Sequence, residues 1–244
     1  MKKAICVFAA LLLLLSVGCA GTVAPEANEP IEPAAEQATV TPEPTATETS
    51  EEASPAPAEP TEPNEPETEP TTGILVIYFS RTGEQYSVGV IDKGNTAIVA
   101  ELIAQKTGAD LFEVLPVDDH YPMTYNALTD VAKKEQNENA RPAYQGELPN
   151  LDAYQTVFIG APVWWGDWPM ILYTVFDTND FSGKTLVPFS THEGSGLSGF
   201  DRKLQKACPD AAVANGLAVR GSDAQNNRDK VTESVESWLT ELGF

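Results

Sequence analysis

The chain has 244 residues, and its 36 acidic side chains outnumber the 15 basic ones to give a formal net charge of −21. This charge disfavours nucleic acid and anionic membrane surfaces as partners, because both carry the same sign. The three cysteines are too few and too far apart to predict a disulfide framework or a thiolate metal cluster.

The first 18 residues have the composition of a secretory signal peptide. Lys2 and Lys3 give a basic start, and Ala4–Leu15 is an apolar stretch that leads into small residues up to Gly18. This stretch is shorter than the roughly 20 residues that a membrane-spanning helix needs. Residues 1–18 are therefore predicted to direct export.

The residues that end at Cys19 resemble the lipobox of bacterial lipoproteins, in which the cysteine is acylated and becomes the first residue of the mature protein. Ser16 departs from the leucine that is commoner at its position. The resemblance implies that Cys19 is lipidated and that the protein is anchored to the extracytoplasmic side of the cell membrane. The alternative is an ordinary cleaved signal that leaves an unmodified thiol.

Residues 19–72 are predicted to be a disordered tether. From Ala20 to Thr72 the chain holds 11 of its 19 prolines and 13 of its 36 acidic residues, and it has no Lys or Arg. Such a segment buries too little apolar surface to offset the entropy lost on ordering. Residues 73–244 remain as one folded domain, in which we expect Cys208 to be a small buried apolar residue.

Apolar runs alternate with helical patterns through this domain. The predicted strands are Ile74–Phe79, Leu111–Leu115, Thr156–Ala161, Thr185–Phe189 and Val213–Val219. The predicted helices are Asn95–Thr107, Tyr125–Asn137, Pro169–Thr178, Gly199–Ala207 and Ala224–Leu242. Gly108 is placed to end the first helix and Pro169 to begin the third. Strands that alternate with helices across short loops predict a parallel α/β sheet with right-handed crossovers.

Three distinctive loops follow the first, third and fourth predicted strands. Ligands of open parallel sheets bind outside the carboxyl ends of the strands, so these loops should meet at one site. The first loop, Ser80–Gly83, offers hydroxyl and backbone N–H groups ahead of a helix, which is an arrangement that binds phosphate. The second, Pro162–Trp168, is aromatic, and the third, Ser190–Gly196, is rich in glycine. Together they predict a site for a flat, phosphorylated aromatic ligand.

The second and third loops resemble those of the flavodoxin-like family. Its APxWWG and PFxTHxGSG patterns occur here at 161–166 and 188–196. The resemblance covers essentially all of residues 73–244. It implies an α/β flavodoxin-like three-layer sandwich, with a five-stranded parallel sheet in the order 2-1-3-4-5 that binds FMN at its edge.

The family's phosphate loop, S/T-x-T-G-N-T, occurs here in two parts. Ser80–Gly83 matches its first part and Gly94–Thr96 its last part. The ten residues of Glu84–Lys93 are inserted between them, which leaves open whether Gly83 or Gly94 takes the place of the family glycine. It also leaves open whether the start of the insertion touches the ligand.

Some of these residues have a second interpretation without a ligand. Arg81 either pairs with phosphate or points to solvent, and the helix start at Asn95 could be a plain cap. Trp164 and Trp165 are expected either to contact the flavin ring or to pack on Trp168. Because neighbours on a loop cannot both face one core, we expect at least one of the pair to contact the flavin.

The Gly-Asp turn at Gly166 and the third loop bear on redox chemistry. The turn resembles that of short-chain flavodoxins, which implies that the Gly166 peptide tunes the flavin potential. Thr191–Gly196 replaces the tyrosine with which flavodoxins cover the outer flavin face. His192 is either a surface residue or a group that stabilises the reduced flavin, and Glu193 would oppose that by its like charge. His120, in the loop after the second strand, is predicted to be structural.

The residues predicted to bind the cofactor are Ser80, Arg81, Thr82, Gly83, Gly94, Asn95, Thr96, Pro162, Val163, Trp164, Trp165, Gly166, Thr191, His192, Glu193, Gly194 and Gly196. No metal ligand is predicted. The chain has neither a nucleophile elbow nor a dinucleotide fingerprint after a strand, so catalysis would come from the cofactor.

These expectations combine into an FMN-binding redox protein that transfers electrons at the outer face of the cell membrane, to a redox partner protein or a small quinone-like acceptor. One alternative is an FMN-dependent reductase of quinone-like molecules that uses NAD(P)H. Another, from a different class, is a binding module on the same fold without flavin. The missing tyrosine favours the reductase, and the Gly-Asp turn favours the one-electron carrier.

Overall fold

The computed structural model describes residues 72–244. The predicted signal peptide, all of the predicted tether but its last residue, and the lipidation site Cys19 lie outside the described residues. No helix within 72–244 is both long and apolar enough to cross a membrane.

Strands and helices alternate along the described residues. The strands are β1 (Ile74–Tyr78), β2 (Gly83–Gln85), β3 (Gly89–Ile91), β4 (Asp110–Glu113), β5 (Thr156–Pro162), β6 (Thr185–His192), β7 (Ala212–Val213) and β8 (Leu217–Arg220). The helices are α1 (Asn95–Thr107), α2 (Tyr125–Glu138), α3 (Met170–Thr178), α4 (Phe200–Ala207), α5 (Gly221–Asn226) and α6 (Arg228–Leu242), with a short 3-10 helix at Leu151–Ala153.

Six strands form one parallel sheet. Its order is β4-β1-β5-β6, and both β7 and β8 pair with the outer side of β6. If the small hairpin β2–β3 is set aside, this is the order 2-1-3-4-5, so the predicted topology is confirmed. The inner strands are buried on both faces, which is why they read as continuous apolar runs.

Helices cover both faces of the sheet. On one face Leu75 of β1 belongs to a core that includes Leu172 of α3 and Leu204 of α4. On the other face Val76 of β1 belongs to a core that includes residues of α1 and Val235 of α6. The predicted three-layer sandwich is therefore confirmed, and its carboxyl-terminal edge holds the three loops.

The predicted strand Val213–Val219 is wrong as a single element, because β7 and β8 are separate. The register against β6 shifts by one residue between them, so the edge strand contains one extra residue there, as in a β-bulge. Leu186 of β6 accepts a hydrogen bond from the N–H of Ala214, at 2.9 Å. Pro188, two residues further along β6, faces the same edge but has no N–H to continue the ladder.

The predicted helix Ala224–Leu242 is likewise two helices, α5 and α6. Asn227 lies between them with φ −132° and ψ 54°, which are not helical values. Its N–H donates to the carbonyl of Asp223 and its side-chain Nδ2 to the Asp223 carboxylate, both at 2.8 Å. Such local bonding by Asn competes with a continuous helix.

Smaller differences concern the ends of elements. β4 runs over Asp110–Glu113 rather than Leu111–Leu115, and Pro169 precedes α3 instead of being its first residue. Gly108 ends α1 in the left-handed conformation at φ 71°, as predicted. The insertion Glu84–Lys93, for which no structure was predicted, supplies most of the antiparallel hairpin β2–β3.

Cys208 is buried, as predicted. Burial raises the pKa of its thiol to about 11, so the group stays protonated and unreactive at neutral pH.

Candidate functional site

The second and third loops border a cavity at the carboxyl ends of β5 and β6. Its volume is about 530 Å³, which is typical of small-molecule sites. The predicted residues that line it are Asn95, Pro162, Val163, Trp164, Trp165, Thr191, His192, Glu193 and Gly194. The others lie in the three loops or at the start of α1 without lining it: Ser80, Arg81, Thr82, Gly83, Gly94, Thr96, Gly166 and Gly196. Their roles as ligands stay predictions.

Sequence reasoning missed one wall of this cavity. The lining residues that were not predicted come from the hairpin, from α2, from the third loop and from the start of α5: Gln85, Tyr86, Tyr125, Leu128, Thr129, Ala132, Ser195 and Gly221. A signal for α2 was present, because the predicted sheet order places the strand before it next to β1. The first turn of α2 therefore had to lie at the same edge of the sheet.

The start of α1 is arranged to receive an anion. Gly94 precedes the helix, and Ser80 Oγ accepts a hydrogen bond from the N–H of Ala97 at 3.0 Å. The N–H groups of Asn95 and Thr96 form no hydrogen bond with any described residue. Unpaired N–H groups at a helix start, together with the helix dipole, favour negative charge.

Close packing brings the first loop to this helix start. A Cβ on Gly94 would lie 2.1 Å from Ser80 Oγ and 2.8 Å from the carbonyl oxygen of Arg81. Only glycine leaves room for the loop at this distance. A side chain at position 94 would therefore push the first loop away from the start of α1.

The short helix α5 supports the site from behind. The side-chain oxygen of Asn95 accepts a hydrogen bond from Gln225 at 2.8 Å. Glu193 accepts from the N–H of Ser222 at 2.6 Å and from its hydroxyl at 3.1 Å. A Cβ on Gly221 would lie 2.3 Å from Asn95 Nδ2, so this contact also needs glycine. The carboxylate of Glu193 is therefore occupied at the start of α5.

Thr191 joins the third loop to the start of α1 and to the second loop. Its hydroxyl shares a hydrogen bond of 2.8 Å with the hydroxyl of Thr96, and both side chains are buried. Its carbonyl accepts from the N–H of Val163 at 2.9 Å. Within the third loop, the buried Ser190 hydroxyl donates to the carbonyl of Gly196 at 3.1 Å. The loops are thus held together by hydrogen bonds between described residues.

Arg81 forms an ion pair on the other side of the first loop. Its Nη1 lies 2.8 Å from the carboxylate of Asp119, and its Nη2 donates to the carbonyl of Tyr121 at 2.8 Å. The side chain is only 10% exposed, so the predicted solvent-facing alternative is wrong. Its Nε is buried and has no partner among the described residues.

Trp164 and Trp165 face different surroundings. Trp164 is half-buried and meets Phe79 and Tyr121 edge-on, with ring centroids 5.3 and 5.2 Å apart. Trp165 is 53% exposed. Trp168 stacks instead on Phe200 at 3.6 Å, so the alternative in which the pair packs on Trp168 is not what the structure shows.

The indole of Trp165 is held against α2. Its Nε1–H donates to the carbonyl of Thr129 at 2.8 Å, and Lys133 Nζ lies 4.9 Å from the ring centroid. The carbonyl of Trp165 accepts from Gln136 at 3.3 Å. An exposed ring with fixed edges offers a preformed apolar surface to a flat ligand.

The Gly-Asp turn is a tight hairpin turn. Trp164 and Asp167 exchange backbone hydrogen bonds of 3.0 and 2.9 Å, and the two residues between them, Trp165 and Gly166, have φ 50° and 73°. Two positive φ values are the signature of a type I′ turn. Lys203 Nζ of α4 donates to the Gly166 carbonyl and lies 3.2 Å from the Asp167 carboxylate. The peptide predicted to tune the flavin potential is therefore bonded to α4.

His192 is a neutral hydrogen-bond donor in the lining. Its Nδ1 accepts from the N–H of Gly194 at 2.8 Å, which places the ring proton on Nε2. Burial and the positive charge of Arg220 lower the pKa of His192, and the opposing effect of Glu193 is smaller. The imidazole thus acts near pH 7 through an N–H group rather than through a positive charge.

His120 has the structural role that was predicted. Its Nε2 lies 2.7 Å from the Glu135 carboxylate and its Nδ1 2.8 Å from the carbonyl of Asp118, so both nitrogens face acceptors. Although burial acts to lower it, the pKa of His120 is raised by these two hydrogen bonds. The Tyr121 hydroxyl donates to the second oxygen of Glu135 at 3.1 Å.

Comparison with known proteins finds a matching family and structures of similar fold. A family model described as flavodoxin matches residues 73–238. The crystal structure of a candidate flavoprotein from Bacteroides eggerthii is 29% identical, with a TM-score of 0.56, and the match covers 70% of this chain and 98% of that one. Comparison with curated proteins finds no match.

Two further structures are similar. A candidate flavoprotein from Bacteroides uniformis is 28% identical, with a TM-score of 0.54, covering 67% of this chain and 97% of that one. A flavoprotein from Lactobacillus acidophilus, solved in complex with FMN, is 19% identical with a TM-score of 0.49, covering 64% of this chain and 97% of that one.

Within 72–244 no group of three or more His, Cys, Asp or Glu side chains is placed to hold a metal ion.

Proposed function

The chain belongs to the flavodoxin family, and from that premise we propose that it binds FMN and transfers electrons. The observation that carries the proposal is the cavity of about 530 Å³, which is bordered by the α1 start at Asn95 and by the tryptophan pair. The two Bacteroides proteins are described as candidate flavoproteins, which supports a flavin as the ligand.

The residues present fit the phosphate of FMN. The first loop packs closely on Gly94, next to the unpaired N–H groups of Asn95 and Thr96. The hydroxyl of Thr82 has no partner among the described residues and is a further donor in the same loop. Backbone N–H groups at a helix start bind a phosphate dianion without a metal ion.

The other side of the cavity fits the ring system. Trp164 and Trp165 provide apolar surface that excludes water from a flat ligand. The Nε2–H of His192 is available to donate a hydrogen bond to an acceptor in the cavity. When bound, FMN supplies reversible uptake of one or two electrons, while the chain positions it and sets its potential.

The proposal extends to location and partners. Residues 1–72 support an exported protein that is anchored through Cys19 on the outer side of the cell membrane. A long acidic tether would then hold the domain away from the membrane surface. Its partner is a redox protein or a small quinone-like acceptor that approaches from the extracytoplasmic side.

A reductase of quinone-like molecules that uses NAD(P)H is the second candidate. It is favoured by the third loop, Thr191–Gly196, which carries no aromatic side chain to cover a bound flavin. Stopped-flow mixing of the FMN-loaded protein with NAD(P)H and a quinone separates the two. Rapid flavin reduction followed by reoxidation supports the reductase, and negligible turnover supports the carrier.

Titration of the purified chain with FMN and with riboflavin tests the cofactor assignment. We expect FMN to bind one per chain and to give a yellow protein. Riboflavin, which lacks the phosphate, should bind at least about tenfold more weakly, because hydrogen bonds to a charged group contribute roughly 1.5–3 kcal/mol each. A colourless protein that takes up neither compound would contradict the proposal and support the flavin-less binding module.

A further inference from the structure

The hairpin β2–β3 places an aromatic ring at the cavity. Tyr86, in the loop between the two strands, lines the cavity although its side chain is 59% exposed. Its ring lies 5.5 Å from that of Tyr125 of α2, at an interplanar angle of 34°. The cavity therefore has a second aromatic side, which is separate from the tryptophan pair.

Hydrogen bonds fix the base of the hairpin to the start of α2. The N–H of Glu84 donates to the carbonyl of Met123 at 2.8 Å, and the Glu84 carboxylate accepts from the N–H of Tyr125 at 2.9 Å. A Cβ on Gly83 would lie 2.7 Å from the same Met123 oxygen, so glycine permits this close approach. The hairpin is thus a built part of the site rather than a free loop.

The tip of the hairpin presents Tyr86 by means of unusual backbone angles. The N–H of Val88 donates to the carbonyl of Gln85 at 3.2 Å, which closes a turn around Tyr86. Ser87 and Gly89 have φ 58° and 92°. A positive φ at a residue other than glycine is uncommon.

A place in the cavity lining distinguishes Tyr86 from Val90, an exposed apolar side chain of the same hairpin. Val90 is 79% exposed and does not line the cavity. Tyr86 combines exposure with a place in the lining, where Thr191–Gly196 provides the small imidazole of His192 but no Phe, Tyr or Trp ring. An exposed aromatic side chain at the rim of a cavity provides stacking surface for a flat ligand.

We infer that Tyr86 is a flavin-contact residue, so that the hairpin supplies the aromatic contact that the third loop lacks. This inference rests on the proposed binding of FMN. It also assigns a role to the insertion Glu84–Lys93, which controls how much of the bound ring a second molecule can reach.

The test compares FMN dissociation constants of the unsubstituted chain with those of Tyr86→Ala, Tyr86→Phe and Val90→Ala, measured by flavin fluorescence. Tyr86→Ala should weaken binding about tenfold or more, since loss of a stacked ring weakens binding to that degree. Tyr86→Phe keeps the ring and should stay within about twofold. Val90→Ala changes an exposed side chain of the same hairpin that does not line the cavity, and it should have no effect.

Hydrogen exchange of the hairpin amides provides a readout independent of affinity. FMN should slow exchange over 85–89 in the unsubstituted chain and leave it unchanged in Tyr86→Ala. If the unsubstituted chain binds no FMN, the proposed function itself fails. If it binds FMN and Tyr86→Ala binds within twofold of it, or if Val90→Ala weakens binding equally, only the inference about Tyr86 is overturned.

Discussion

Gly94 has φ −64°, a value that alanine adopts without strain, so its need for glycine is spatial. Its neighbours are Ser80 Oγ and the backbone of Arg81. Gly83 meets the carbonyl of Met123 in a similar way, and in addition has φ 85°. The two glycines therefore have different roles. Gly94 lets the first loop pack on the start of α1, and Gly83 lets the hairpin pack on the start of α2.

Replacement of Gly94 by alanine tests this close approach. The added Cβ should displace the first loop, lower the free energy of unfolding by about 1–3 kcal/mol as overpacking does, and weaken FMN binding at least tenfold. Urea unfolding and FMN titration measure the two effects. In the double variant Ser80→Ala, Gly94→Ala the nearest atom is gone, so part of the lost stability should return. Full stability and affinity in Gly94→Ala would show that the loop adapts.

At the scale of elements, two tryptophans of the segment between β5 and α3 have different roles. Trp168 is 1% exposed and stacks on Phe200 at the start of α4. Trp165 occupies the turn and faces the cavity. Because Trp164 and Trp165 are adjacent on a loop, at least one of them was expected to lie outside the core, and Trp165 does. The partners could not be predicted, because they come from helices that are distant in sequence.

Alanine at each of these two positions should separate folding from binding. Trp168→Ala is expected to lower the free energy of unfolding by about 3–5 kcal/mol, as for other buried aromatic residues. Trp165→Ala should cost less than about 1 kcal/mol of stability, since its ring is half in solvent, yet weaken FMN binding about tenfold. Chemical unfolding and FMN titration serve both variants. An equal loss of stability in both would contradict the division of roles.

Two physical causes explain the elements that could not be predicted from the sequence. Each strand of the hairpin β2–β3 has three residues, which is too short for an alternating apolar pattern to emerge. The break between β7 and β8 depends on Pro188 of the neighbouring strand, which lacks an N–H group. The break between α5 and α6 depends on Asn227, whose N–H bonds to Asp223. Apolar periodicity carries no information about such hydrogen bonds. Long buried strands such as β1 were predictable, because burial on both faces leaves a continuous apolar run.

At the scale of the molecule, strand order and site position followed from the alternation of strands and helices together with the family resemblance. The position of the first turn of α2 at this edge also followed from the sheet order, but the α2 residues that form the cavity wall did not, because they depend on how that helix packs. Charge also divides unevenly along the chain, with all 13 ionised residues of 20–72 acidic. That nucleic acid is a poor partner for such a charge distribution stays a prediction.

Membrane attachment is a property of the whole molecule, and it can be tested by a matched pair of variants, one at Cys19 and one at Cys208. In a bacterial host, Cys19→Ser should move the chain from the membrane fraction to the soluble fraction and abolish labelling with a fatty acid. Cys208→Ala, at a buried thiol, should leave both unchanged. Fractionation and radiolabelling provide the measurements. A Cys19→Ser chain that remains lipid-labelled would rule out this anchor.

The buried pair of Thr96 and Thr191 has a consequence for the kinetics of cofactor uptake. Their shared hydroxyl bond and the bond from Val163 assemble the pocket during folding, before any ligand arrives. Folding itself thus orders these loops, so that little further conformational entropy is lost when a ligand binds. Such a pocket is called preorganised. Association then needs little loop rearrangement, and differences in affinity among variants of the pocket should reside mainly in how long the complex lives.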